Sequence, residues 1–164
     1  MPTVALVAIF GCMGGSHWPP AVSTKAQIEK LPESQQDIRG IAIRDQELQL
    51  IATRFSHLDY LFVSSYAEIS DEGVSHLSRL SKLRQVVFED GSHLSDRSVQ
   101  VFAGLPCLRE LMVTNAPQLT DTSLELLGNK KEMKLLYLSK CSKISDPAKA
   151  ALKKSLPGCK ITIE

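Results

Sequence analysis

The chain has 164 residues, which suits one domain with a short tail, and 43% of them are hydrophobic, enough to bury a core. Its formal net charge of +1 provides no overall positive field, so a nucleic-acid partner is not expected. Aromatic residues make up only 5%, which is typical of a core built from layers of Leu, Ile and Val.

The chain begins with a short apolar run over residues 4–10, followed by Gly11 and Cys12. This order resembles a bacterial lipoprotein signal, in which a small residue precedes the Cys that becomes lipidated. The resemblance implies that residues 1–23 are a signal and flexible tether, and that Cys12 is a lipidation site that holds the protein at a membrane. Two alternatives stay open: a buried N-terminal strand, or a misplaced start codon. The run is too short to span a bilayer as a helix.

Residues 24–57 are predicted to form an N-terminal cap and an atypical first repeat. Residues 24–31 have the pattern of a short amphipathic helix, and Ile38, Ile41 and Ile43 have the spacing of a strand. A cap is expected because the first repeat of a solenoid otherwise leaves its apolar side open to water.

One motif is written four times between residues 58 and 157. The copies begin at Leu58, Leu83, Leu108 and Met133, so the period is 25 residues. Each copy starts with apolar residues at i, i+3 and i+5, which predicts a short strand. Each continues with a Ser/Thr-Asp pair, whose oxygens can accept hydrogen bonds from the first N–H groups of a helix. These pairs are Ser70-Asp71, Ser95-Asp96, Thr120-Asp121 and Ser145-Asp146.

At these residues the chain resembles the leucine-rich repeat family, in a bacterial variant with Asp at the helix start and Cys after the strand, a position that Cys141 occupies. The resemblance implies an α/β solenoid, a right-handed horseshoe segment with about six parallel strands and with helices on the convex side. Residues 158–164 would be its closing strand. The family implies a non-catalytic scaffold that binds a protein through its concave strand face. The alternative is an intracellular adaptor or assembly factor, similar to the substrate-reading repeats of F-box proteins or to repeat proteins of membrane-complex assembly.

In this family the third and fifth positions of the strand motif point away from the core. The fifth positions here form an apolar column of Ala42, Phe62, Val87, Met112 and Tyr137. We predict that the column is exposed and contacts the partner, because exposed apolar stripes with Tyr and Met are typical of interfaces. The predicted binding residues are Tyr60, Phe62, Val87, Glu89, Glu110, Met112 and Tyr137. The column could instead reflect only the preference of strands for such residues, or an N-terminal tail could fold over these side chains.

The sequence has no motif that indicates catalysis. It contains no CxxC pair, no HExxH and no GxSxG, so we expect no catalytic residue, no cofactor and no metal site. A row of Asp could hold a cation, but helix capping explains each one. The Lys-rich end after residue 129 either meets an anionic partner or only solvates the last repeat. We expect a monomer, exported or membrane-tethered if the signal is used and cytoplasmic otherwise.

Overall fold

The structure is a computed structural model that describes residues 19–164. Seven strands in this range form one parallel sheet, in which each strand lies beside its neighbours in sequence. The strands are β1 (Ala21–Val22), β2 (Asp37–Gly40), β3 (Tyr60–Val63), β4 (Gln85–Phe88), β5 (Glu110–Val113), β6 (Leu135–Leu138) and β7 (Lys160–Ile163). The helices are α1 (Lys25–Lys30), α2 (Asp45–Arg54), α3 (Asp71–Ser75), α4 (Asp96–Gly104), α5 (Asp121–Leu127) and α6 (Asp146–Ser155), and a 3₁₀ turn at His76–Arg79 extends α3.

The 25-residue period of the sequence sets the register of the sheet. Tyr60 lies opposite Gln85, Gln85 opposite Glu110, and Glu110 opposite Leu135. Strand β7 continues the row with Lys160. Equal repeat positions therefore lie side by side across the sheet, and the predicted alternation of parallel strands and helices is confirmed.

The beginning of the sheet differs from the prediction in two respects. There are seven strands in the described range, since Ala21–Val22 adds a strand where a tether was expected. Its backbone bonds to β2, with the Ile41 N–H 2.7 Å from the Val22 carbonyl oxygen. The register of the first repeat is also shifted, because Ile38 pairs with Leu61 and not with Leu58. A two-residue strand is too short to show a periodicity, and three Ile residues fit the strand motif in more than one register.

The main core fills the space between the sheet and the helices. Leu61 and Leu111 point into it from the strands, and both are fully buried. Val99 and Phe102 meet them from α4, as the spacing of that helix predicted, and the Phe102 ring centroid lies 5.8 Å from that of Phe88. None of the described helices is long and apolar enough to cross a membrane.

Ser or Thr caps the helices of the four regular repeats, as predicted, whereas the Asp that follows makes a different contact. The Ser95 hydroxyl oxygen accepts a hydrogen bond from the Arg97 N–H at 3.2 Å. The Asp71 carboxylate instead reaches the next repeat, where it accepts bonds from the Ser95 N–H at 2.9 Å and from its hydroxyl at 2.5 Å. The same contact recurs between Asp45 and Ser70, Asp96 and Thr120, and Asp121 and Ser145. We call these four contacts the Asp ladder.

Candidate functional site

A second apolar cluster lies on the face of the sheet opposite to the helices. The second cluster consists of Tyr60, Phe62, Val87 and Met112, and it is separate from the main core. Leu135 and Tyr137 on β6 pack against it. Its members alternate along the strands with core residues, because successive side chains of a strand point to opposite faces. We call this side of the sheet the second face.

The register of the sheet brings the predicted column together as one row. Phe62 lies opposite Val87, Val87 opposite Met112, and Met112 opposite Tyr137. The second face thus unites residues from four repeats. Sequence reasoning left Leu135 out of the predicted set, although it occupies the same repeat position as Tyr60 and the period could have identified it.

The exposure predicted for this column is wrong for three of its members. Phe62, Val87 and Met112 are 7%, 1% and 2% exposed. Tyr137 is half-buried, its hydroxyl lies 3.4 Å from a carboxylate oxygen of Glu164, and burial raises its pKa. One cause is the spacing of about 4.8 Å between strands, which lets neighbouring side chains shield each other's flanks. The column is therefore a packed apolar surface and not a solvated one.

Ala42 does not belong to the column, contrary to the prediction. It follows β2 in a left-handed conformation with φ of 52°, and Arg39 takes the place opposite Phe62. Asp37 lies opposite Tyr60. The column is consequently charged where it reaches β2. This charge was not predicted, because the predicted register placed Ala42 and not Arg39 opposite Phe62.

The two predicted acidic contacts have different surroundings. Glu89 lies just beyond β4, and its carboxylate accepts a hydrogen bond from the Ser65 N–H at 3.1 Å, which ties together the turns after β3 and β4. Glu110 stands half-buried on β5, between Gln85 and Leu135. Glu110 is thus placed on the second face, whereas Glu89 lies at its edge.

A group of charges surrounds Tyr60 at the start of β3. Arg84 donates two hydrogen bonds to Asp59, one of them from Nη2 to Oδ2 at 2.6 Å. Burial and the nearby Asp59 carboxylate raise the pKa of Asp37, against the opposing charge of Arg84. Burial, together with the charge of Asp37, also raises the pKa of Tyr60 well above its usual value. Tyr60 therefore stays protonated at neutral pH, and its buried hydroxyl has no hydrogen-bond partner within residues 19–164.

Three of the four cysteines of the chain lie in the described range. Cys107, Cys141 and Cys159 are free thiols. Cys141 is 4% exposed at the turn after β6, and burial raises its pKa to about 11, so it is protonated at neutral pH. Cys12, the predicted lipidation site, lies outside the described residues.

Three Asp carboxylates of the predicted row, Asp71, Asp96 and Asp121, accept hydrogen bonds from the following repeat, whereas Asp146 is exposed and contacts Lys149 of its own helix. In residues 19–164 no group of three or more His, Cys, Asp or Glu side chains is arranged to hold a metal ion. Several lysines of the C-terminal part are likewise used internally. Lys130 Nζ lies 2.6 Å from the Leu105 carbonyl oxygen and 3.2 Å from that of Ala103, near the end of α4, where the helix dipole favours a cation. Burial lowers the pKa of Lys130.

Comparison with known proteins adds no family to this description. No protein-family model matches the chain, and no match is found among curated proteins. The functional interpretation therefore depends on the geometry of the second face.

Proposed function

We propose that the repeats are leucine-rich repeats and that the chain is a non-catalytic scaffold that binds a protein partner through the second face. The 25-residue period, the single parallel strand in each repeat and the helices on the other side of the sheet support the repeat assignment. In such a solenoid the second face is the concave side, where several strands present side chains to one ligand.

The observation that carries this proposal is that the apolar column ends at both sides. Its four central side chains are Phe62, Val87, Met112 and Tyr137. The next places in the row carry Arg39 on β2 and Thr162 on β7. A general preference of strands for apolar and β-branched residues would act on every strand and does not explain Arg39 at the β2 end. A bounded apolar patch that contains Tyr and Met, with a polar border, has the composition of a protein interface.

Position-specific photo-crosslinking tests the proposal in the native host. A photoreactive phenylalanine analogue replaces Tyr137, which is half-buried on the second face. The control places the same analogue at Tyr66, which is 77% exposed in the turn after β3. We expect a protein adduct that forms from position 137 and not from position 66.

The captured protein is then purified and titrated against the wild type, Tyr137→Ser and the control Tyr66→Ser. A central aromatic contact is worth about 2 kcal/mol or more, so Tyr137→Ser should weaken binding roughly 30-fold while the control stays unchanged. An adduct that forms equally from both positions, or an affinity that survives Tyr137→Ser and Leu135→Ser, would contradict binding through the second face.

A further inference from the structure

The second cluster is buried more thoroughly than the sheet alone explains. Val87 and Met112 are 1% and 2% exposed. Within residues 19–164, the other hydrophobic side chains that pack against the cluster are Leu135 and Tyr137, which stand beside it on the same sheet. Neighbours in the plane of a sheet shield the flanks of a side chain but not its tip. The described helices contribute their buried residues to the main core on the other face. A layer over the second face would account for this burial.

We propose that the apolar run at the N-terminus, residues 4–10, docks against the second face of its own chain and covers β3 to β5. The run reads Val-Ala-Leu-Val-Ala-Ile-Phe and is the longest uninterrupted apolar stretch in residues 1–18. It carries no charge, and the central part of the second face is equally apolar. Docking removes both surfaces from water at once, which is the favourable outcome for two apolar surfaces on one chain.

The chain is long enough for this contact. Residue 19 precedes β1 at one edge of the sheet, and strands β3 to β5 lie two to four places away, a distance of roughly 10–20 Å at 4.8 Å per strand. Residues 11–18 connect the run to that edge, and eight residues in extended form span up to about 28 Å. Gly11, Gly14 and Gly15 in this connection permit the reversal of direction that docking needs.

Docking of the run also gives the proposed partner a competitor. The run would occupy the surface that we propose for partner binding, and its covalent connection gives it an effective concentration in the millimolar range. A partner then binds only by displacing it. This regulatory consequence rests on the proposed function, whereas docking itself does not. Docking also requires that residues 1–11 remain in the same molecule, which removal of a lipoprotein signal at Cys12 would prevent.

Thiol accessibility at the centre of the second face tests the docking without any partner. Val87→Cys is introduced into the full chain, with Cys12, Cys107 and Cys159 replaced by Ser and the buried Cys141 retained. The rate of modification by dithiobis(nitrobenzoate) is then measured at neutral pH, and intact mass confirms that the N-terminus is present.

The perturbing variant is Val7→Asp with Ile9→Asp, which places two charges in the run. Its control is Ser16→Asp with His17→Asp, which adds the same charges to the connection. We expect modification of the thiol at position 87 to be at least tenfold faster in the perturbing variant, with the control at the wild-type rate. Circular dichroism verifies that both variants are folded.

Three results would overturn the docking. The thiol at position 87 could react rapidly in the intact chain, which means that the face is open. It could stay protected in the perturbing variant or in a chain that lacks residues 1–11, which means that something else covers it. Its protection could disappear on dilution, which means that a second copy covers it. A negative crosslinking result with partners would refute the proposed function and leave this measurement unaffected.

A second variant keeps the test independent of whether the Asp substitutions permit folding. Ile9→Cys combined with Val87→Cys, in the same Ser background, is expected to form an intramolecular disulfide under mild oxidation. The control pairs His17→Cys with Val87→Cys. A disulfide that forms no faster in the first pair than in the control would contradict docking of the run.

Discussion

Removal of the Asp96 carboxylate, which belongs to the Asp ladder, should destabilise the protein far more than removal of the Asp146 carboxylate, which contacts no other repeat. Asp96→Ala deletes an acceptor between two repeats. Asp146→Ala changes the equivalent position of the last helix, after which no helix follows within residues 19–164. Both residues start a helix, so both variants lose the same favourable interaction with the helix N-terminus. The difference between the two variants therefore isolates the contacts between repeats.

The magnitude follows from the donors that each substitution leaves without an acceptor. Asp96 accepts hydrogen bonds from the Thr120 N–H at 3.0 Å, from the Thr120 hydroxyl at 2.6 Å and from the Ser123 hydroxyl. Ser123 is fully buried. An unsatisfied buried donor costs about 1–3 kcal/mol, and water can reach part of this half-buried site, so we expect Asp96→Ala to cost about 3–5 kcal/mol. The Asp146 side chain is 93% exposed and contacts Lys149, so its loss should cost less than about 1 kcal/mol.

Equilibrium unfolding in urea, followed by circular dichroism, measures both free energies. Equal m-values would indicate that the two variants and the wild type unfold over the same surface. The reasoning is refuted if Asp96→Ala is no less stable than Asp146→Ala, because the contacts between repeats would then contribute nothing beyond helix capping.

Four further predictions concern other parts of the molecule. Leu111→Ala leaves a cavity in the main core and should lower the free energy of unfolding by about 2–5 kcal/mol in the same titration. Tyr60→Phe removes a buried hydroxyl that has no hydrogen-bond partner within residues 19–164, so thermal unfolding should show equal or higher stability. Ala42→Gly relieves a left-handed backbone and should add about 1 kcal/mol in urea unfolding. Burial raises the pKa of Asp71 and Asp96, but their hydrogen bonds hold it below the ordinary value of 3.8. The ionised Asp71 and Asp96 carboxylates thus contribute fully to the free energy of unfolding above pH 3.8, and this contribution is lost as pH falls through the lowered pKa. Acid unfolding of Asp96→Asn compared with the wild type measures the contribution of Asp96.

The regular part of the fold could be predicted because one 25-residue period determines both the positions of the strands and helices in the sequence and the register of the strands in the sheet. A spacing of 25 residues places Leu58, Leu83 and Leu108 at equivalent positions, and the sheet keeps that spacing from β3 to β7. Each further copy of the motif confirms the register of the others. The membership of the second face followed from the same period, since it depends only on which side of a strand a residue occupies.

The burial of the second face could not be predicted from the repeat motif. Whether Val87 and Met112 are buried depends on contacts above the sheet, and the strand pattern carries no information about them. The predicted strand register of the first repeat was wrong for a different reason. Residues between Ile38 and Ile43 satisfy the strand spacing by themselves, and only the pairing of Ile38 with Leu61 shows that the strand starts earlier. The offset between β2 and β3 is 23 residues, so the period gives no guidance there.

The Asp ladder explains why the first repeat has Asp45 without a preceding Ser or Thr. In the regular repeats the hydroxyl contacts the preceding repeat and the carboxylate contacts the following one. Helix α2 has no preceding Asp contact among the described residues, and it has Arg44 in place of Ser or Thr but keeps Asp45, which contacts Ser70. Helix α6 keeps Ser145, which contacts Asp121, and leaves Asp146 exposed. The first repeat thus keeps only the residue of the pair that has a neighbour, whereas α6 keeps both residues although only Ser145 contacts another repeat. Contact between repeats therefore accounts for Asp45, and the favourable position of a carboxylate at a helix N-terminus accounts for Asp146.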